Sequence, residues 1–185
     1  MKTYSLSSAG RRTTLVLLLG SVLIWMFAFW TLRSTLNLSY HPLRFFSSLQ
    51  AALSQGLTIS QIIPALLMLV LIIATPLVIW NLLEEWAAVY AVEKDGLRFS
   101  TMGFSLMYPW AAVKAIRPVD TDADDPMDEV LLDRDAGTQI ANPLVRWLHN
   151  QAYGGRRLPI YAGLEQRQEL IETIRNHTAG EQVSG

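Results

Sequence analysis

The chain has 185 residues, with 15 Lys/Arg, 16 Asp/Glu and no cysteine, which is room for a membrane anchor and one small domain. Without cysteine there is no disulfide, no thiolate-held metal and no cysteine nucleophile. The net charge of −1 averages two unlike parts: residues 1–83 carry Lys2, Arg11, Arg12, Arg33 and Arg44 and no acid, while residues 84–185 carry ten basic and sixteen acidic residues, a net of −6. A net-acidic C-terminal part argues against nucleic acid as a partner, because phosphate recognition needs a basic surface.

Residues 1–12 read as a polar N-terminal tail. Residues 13–33 read as a first transmembrane helix. The run Thr13 to Leu32 holds no charge, and at about 1.5 Å per residue it spans about 30 Å, the thickness of a hydrocarbon core. Arg11-Arg12 before it resembles a secretory n-region. The run exceeds a usual signal-peptide core, however, and its end (Phe27-Ala28-Phe29-Trp30-Thr31-Leu32) lacks a small-x-small cleavage site, so a retained span is expected. Arg12, Trp30 and Arg33 are expected interface anchors, as is Trp80 on the second span.

Residues 34–59 read as an external loop with an amphipathic helix over 42–55. Pro42 is suited to a first helical position and Gly56 to a stop, and Leu43, Phe46, Leu49 and Leu53 share one face. Residues 60–83 read as the second transmembrane helix, built on Ile62–Trp80, which holds no charge. Thr58 and Gln61 offer a capping box. Pro64 falls in the first turn. Pro76 removes an interior hydrogen bond, and Thr75 beside it is expected to help satisfy the freed carbonyl. Lys and Arg near the spans favour one side five to two when both termini share it. That predicts a multi-pass protein of the cell membrane with both termini cytoplasmic.

Residues 84–177 read as a soluble domain. Val89–Glu93 and Leu97–Ser100 are predicted strands joined at Lys94-Asp95-Gly96, and Asp-Gly is a strong hairpin signal. Ser105–Tyr108 and Val113–Val119 follow as strands, then an acidic loop from Asp120 to Glu129. Glu129–Arg134 and Thr138–Ala141 are expected to form a hairpin around Asp135-Ala136-Gly137. Asn142-Pro143 caps a short helix with Leu144, Trp147 and Leu148 on one face. Arg157–Tyr161 is a last strand, set at an edge or strand end by Pro159. Leu164–His177 is an amphipathic helix with Leu164, Ile171 and Ile174 inward, and residues 178–185 read as a disordered tail. The fold class is α+β: a transmembrane helix pair, then a small antiparallel sheet or partly open barrel capped by a C-terminal helix. No Gly/Ser linker separates Trp80 from the first strand, so the second span is expected to run almost directly into the sheet.

Asp95-Gly96-Leu97, Pro109-Trp110 with Val113 and Ile116, and Glu169-Leu170-Ile171 with Ile174 resemble the bacterial pleckstrin-homology-like (PH-like) domains attached to paired membrane helices. The resemblance covers roughly residues 86–177. The segment Leu144–Gly155 departs from its simplest pattern. The family implies a membrane-tethered interaction domain and carries over no catalytic residue.

There is no phosphate loop, dinucleotide turn or nucleophile elbow, so the chain is not expected to be an enzyme or to hold a cofactor. His41, His149 and His177 have no metal-ligand spacing and read as ordinary polar residues. Asp120, Asp122, Asp124 and Asp128 imitate the start of a calcium loop, but Asp125 stands where glycine is needed and Leu131 where glutamate is needed. Lys114, Arg117, Arg146, Arg156 and Arg157 are candidates for anionic lipid headgroups. The expected role is a non-catalytic protein-interaction or assembly module at the cytoplasmic membrane face, with the bilayer and another membrane or membrane-associated protein as partners. The alternative is a sensor of anionic lipid or a divalent cation.

Overall fold

A computed structural model describes residues 2–39, 41–54, 56–119 and 127–183. The chain divides into two compact units, Leu17–Ile79 on one side and Met1–Val16 with Trp80–Gly185 on the other.

The Leu17–Ile79 unit is helical. Helix α1 (Ser8–Thr35) and helix α3 (Ile59–Trp86) bracket a shorter helix α2 (Pro42–Ser54). Both long helices have 28 residues and are apolar enough to cross a membrane. Leu23, Ile24 and Phe27 on α1, and Ile63, Leu67 and Val70 on α3, point outward and stay exposed. So much contiguous apolar surface is foreign to a monomer bathed in water. Inside the unit, Ala28, Leu32, Leu36, Leu38, Ala65 and Met68 form a small core. The N-terminus of α3 is closed as its sequence predicts, with Thr58 N donating to Gln61 Oε1 at 3.1 Å.

Helix α3 continues unbroken through Pro76. Proline has no N–H, so the carbonyl four residues earlier, at Ile72, loses its helical donor. The indole Nε1 of Trp25 on α1 donates to that oxygen at 3.2 Å. The donor thus comes from the neighbouring helix rather than from the expected Thr75.

The second unit holds two antiparallel sheets. Strands β1 (Lys2–Ser5), β2 (Val89–Val92), β3 (Gly96–Thr101) and β4 (Phe104–Pro109) form one sheet in that order. Strands β5 (Val113–Val119), β6 (Met127–Leu132) and β7 (Arg157–Ile160) form the other. Alternation along the strands sends one face inward. A single row, Tyr4–Tyr90–Phe99–Leu106, crosses all four strands of the first sheet in register, and every member is buried. Val130, Leu158 and Ile160 supply the second sheet's share of the core, and helix α5 (Arg167–Val183) adds Leu170, Ile171 and Ile174. The β2–β3 turn brings Gly96 against β4, where a Cβ would lie 2.3 Å from the Tyr108 carbonyl oxygen; only glycine allows that approach.

Several sequence expectations are corrected here. Residues 2–5 are a strand, not part of a polar tail, because Lys2-Thr3-Tyr4-Ser5-Leu6 alternates and buries Tyr4 and Leu6. The expected hairpin around Asp135 does not form. Strand β6 pairs with β5 and β7 instead, and residues 137–139 make a tight 3-10 turn. That turn presents the Gln139 side chain to β4, accepting from Met107 N and donating to Met107 O, both at 2.9 Å. The amide thus occupies the sheet edge where a strand would bind. Helix α5 runs to Val183, so residues 178–183 are helical and not a disordered tail; Thr178 Oγ1 donates to Ile174 O at 2.7 Å.

The tyrosines of this unit set its alkaline limit. Burial pushes the Tyr153 hydroxyl up to about 12, and burial likewise raises Tyr90, Tyr108 and Tyr161. An unfolded tyrosine ionises near pH ~10. Above that pH the unfolded chain binds fewer protons than the folded one, so stability falls as pH rises. Full stability is expected below pH ~10, with progressive loss through and beyond Tyr153's own range. Tyrosinate absorbance is expected to appear together with loss of circular dichroism, and Tyr153→Phe to soften the pH slope. Gradual ionisation without unfolding would contradict this.

Candidate functional site

Among the described residues of the domain, the most deeply buried charged side chain lies where α3 ends. Glu84 is the first acidic residue of the chain and its side chain is 0% exposed. A carboxylate so placed must be fully partnered to be tolerated. Trp80 Nε1, one turn earlier on α3, donates to Oε1 at 2.6 Å. His149 Nδ1 lies 3.0 Å from Oε2, and the His149 side chain is only 2% exposed.

His149 comes from helix α4 (Pro143–Tyr153), which Asn142 caps by accepting from Leu144 N at 2.9 Å and Val145 N at 3.3 Å. Its ring sits among Phe99, Phe104 and Tyr153, with centroids 5.5–6.4 Å away. The backbone at the end of α3 is closed at the same place. Glu84 O would be an orphan carbonyl of the last turn, and Thr101 Oγ1 of β3 donates to it at 2.8 Å. One residue thus ties α3 to a strand and to α4.

The next residue reaches the other long helix. Glu85 Oε1 accepts from Thr14 Oγ1 of α1 at 3.3 Å. Before α1, Ser7 N donates to Gly163 O and Glu165 N to Ser5 O, both at 2.9 Å. A Cβ on Gly10 would meet the Gly163 oxygen at 2.6 Å, so α1 begins in close backbone contact with the loop before α5. Lys2 Nζ pairs with Glu169 of α5 at 2.5 Å. Both ends that lead into the apolar runs are therefore built into the domain.

Chemically, the Glu84–His149 contact joins two polar groups sealed from solvent. Such a pair can fix elements against one another; it presents no face to a solute. His149, expected to be an ordinary polar residue, is instead buried against Glu84. The available signal was Val145, His149 and Tyr153 at four-residue spacing, one helix face, with the chain's first acid directly after the apolar run.

The other candidate residues are scattered. Asp120, Asp122 and Asp124 lie outside the described residues. Asp128 lies on β6, and its carboxylate accepts from Arg167 of α5. No group of three potential metal ligands occurs among the described residues. Arg117 and Arg157 approach the same Glu129, at 3.0 and 3.8 Å. Arg146 turns back on the Ile140 carbonyl at 2.7 and 3.0 Å, while Lys114 and Arg156 are exposed. Three of the five cations are thus engaged within the domain. Of the expected anchors, Trp30 and Arg12 are exposed, Arg33 Nε donates to Leu38 O at 2.9 Å, and Trp80 holds Glu84. No family model matches the chain, and no curated protein or solved structure shows significant similarity to it.

Proposed function

We propose that this chain is a two-span membrane protein whose C-terminal domain, PH-like in architecture, is a non-catalytic interaction or assembly module at the cytoplasmic face of the cell membrane. The observation that carries the reading is the double attachment. Strand β1 precedes α1 and pairs with β2, and Glu84 at the end of α3 sits in the domain's interior. A chain whose first strand and last helix belong to one domain keeps both on the same side of any bilayer that α1 and α3 cross. The excess of Lys and Arg on that side then favours the cytoplasm.

Two antiparallel sheets closed by a C-terminal helix support the PH-like architecture. The sealed Glu84–His149 pair and the internally engaged arginines favour a scaffold over a catalyst or a headgroup sensor. A domain joined to both long helices suits assembly with a neighbouring membrane protein. Crosslinking of the full-length protein in native membranes, read by mass spectrometry, is expected to recover the same partner repeatedly through residues of the C-terminal domain. Recovery of random membrane proteins in proportion to abundance would count against it.

A further inference from the structure

Helix α4 carries an apolar stripe that the domain does not cover. Leu144 is 62% exposed and Trp147 56%. With Leu148, half-buried, and Gln151, exposed, they recur at three- and four-residue spacing and so share one helix face. The opposite face carries His149 and is fully used. In water, two large apolar side chains standing out on one face gain nothing.

The stripe has a definite neighbour. Its last member, Gln151, donates through Nε2 to Asn81 Oδ1 at 3.3 Å, and His149 on the adjoining turn holds Glu84. Asn81 directly follows Trp80, the end of the uncharged run of α3. The Gln151 end of the stripe therefore lies where α3 leaves its apolar stretch. Trp86 is exposed on the last turn of α3. On α1, Arg11 and Arg12 are exposed one turn before Thr14, which bonds Glu85. Tryptophan favours the bilayer interface and arginine favours anionic headgroups.

The geometry points to α4 as a peripheral membrane contact, its Leu144–Trp147 face lying in the interfacial layer of an anionic bilayer beside the exit of α3. This is a third attachment, made by a helix of the domain itself, and it rests on the reading that α1 and α3 span the bilayer. It commits to lipid because the Gln151 end of the stripe meets Asn81 directly after the apolar run, and because the exposed Trp86, Arg11 and Arg12 of the same unit suit an anionic interface.

Because the chain has no cysteine, single-cysteine variants report position directly. Leu144→Cys, Trp147→Cys, Val70→Cys and Lys94→Cys would be labelled with a fluorophore in the full-length protein. Each would be reconstituted in phosphatidylcholine–phosphatidylglycerol bilayers containing nitroxide lipid. Val70 is exposed on α3 and marks the span. Lys94 is exposed in the β2–β3 turn, at the hairpin end away from α3. Labels at 144 and 147 are expected to be quenched severalfold more than at 94, and more with headgroup-proximal than with chain-end nitroxide. Quenching at 70 but only background at 144 and 147, with access to aqueous iodide, overturns the α4 contact alone. Protection at 144 and 147 from both lipid nitroxide and iodide indicates a protein surface there and also overturns it. Absence of quenching at 70 overturns the membrane-span reading and the α4 contact with it.

Discussion

Glu84→Ala is expected to destabilise the C-terminal domain by about 3–5 kcal/mol, the usual cost of removing one member of a buried, hydrogen-bonded pair. The substitution strips Trp80 Nε1 of its acceptor and His149 Nδ1 of its partner, and neither gains water in exchange because the pocket is sealed. His149→Ala is expected to cost a similar amount from the other direction, leaving the carboxylate half-paired and opening a hole among Phe99, Phe104 and Tyr153. A small domain holds only about 5–15 kcal/mol in total, so either change exposes a large unfolded fraction. The double variant Glu84→Met/His149→Phe removes the pair while keeping volume. It is expected to recover the share of the loss that comes from the His149 contact, because well-packed apolar replacements of buried pairs are often neutral or better, while Trp80 Nε1 still lacks its acceptor. Pulse proteolysis of the full-length protein in detergent across a urea series measures all of this. A single-variant cost below about 1 kcal/mol, the scale of an ordinary substitution, would remove the pair from its central place. So would a double variant no better than the singles.

The same contact separates what the chain reveals locally from what it reveals only when folded. The long apolar helices are legible because hydropathy is a property of consecutive residues. The β2–β3 hairpin is legible because Asp95-Gly96 lies between alternating runs. Glu84 and His149 stand 65 positions apart, and the Val145–His149–Tyr153 face of α4 marks a histidine turned inward without saying what it meets. Strand β1 is hidden for a related reason. Five alternating residues before Arg11-Arg12 look like the polar start of a membrane segment until β2, more than 80 positions later, supplies the partner. The Asp135 segment misleads through a true local signal. Asp-Ala-Gly does make a turn, with Asp135 Oδ1 accepting from Gly137 N at 2.7 Å. The strand expected after it is replaced by the side chain of Gln139, which fills one rung at the edge of β4. The face of α4 is readable as a pattern, while its exposure is not, because periodicity gives which residues share a face and not what that face meets.

A fragment consisting of residues 86–185 is expected to fail to fold, although it contains every strand and helix that sequence alone assigns to the soluble domain. It lacks Glu84, and His149 is then buried without its partner. It also lacks β1, so β2 becomes a bare edge and the row Tyr4–Tyr90–Phe99–Leu106 loses its first member. Burying Tyr4 and Leu6 contributes about 1.5–3 kcal/mol each. The four paired residues of β1 and the bonds from Ser7 and Glu165 to the α5 loop add to that. Together these losses rival the whole stability of a domain this size. Joining residues 2–14 through a flexible Gly/Ser linker to residues 80–185 restores β1, Trp80, Glu84 and the Thr14–Glu85 contact without either full apolar run. That fusion is expected to give a dispersed amide spectrum and a cooperative melt where the 86–185 fragment gives neither. Within the fusion, Tyr4→Ala is expected to cost about 3–5 kcal/mol, as for other large buried aromatics cut to alanine, while Thr3→Ala, at an exposed position of the same strand, is expected to fall within about 0.5 kcal/mol. An 86–185 fragment that melts as cooperatively and as high as the fusion would show that β1 merely decorates the sheet. The double attachment to α1 and α3 would then no longer explain how the domain is held.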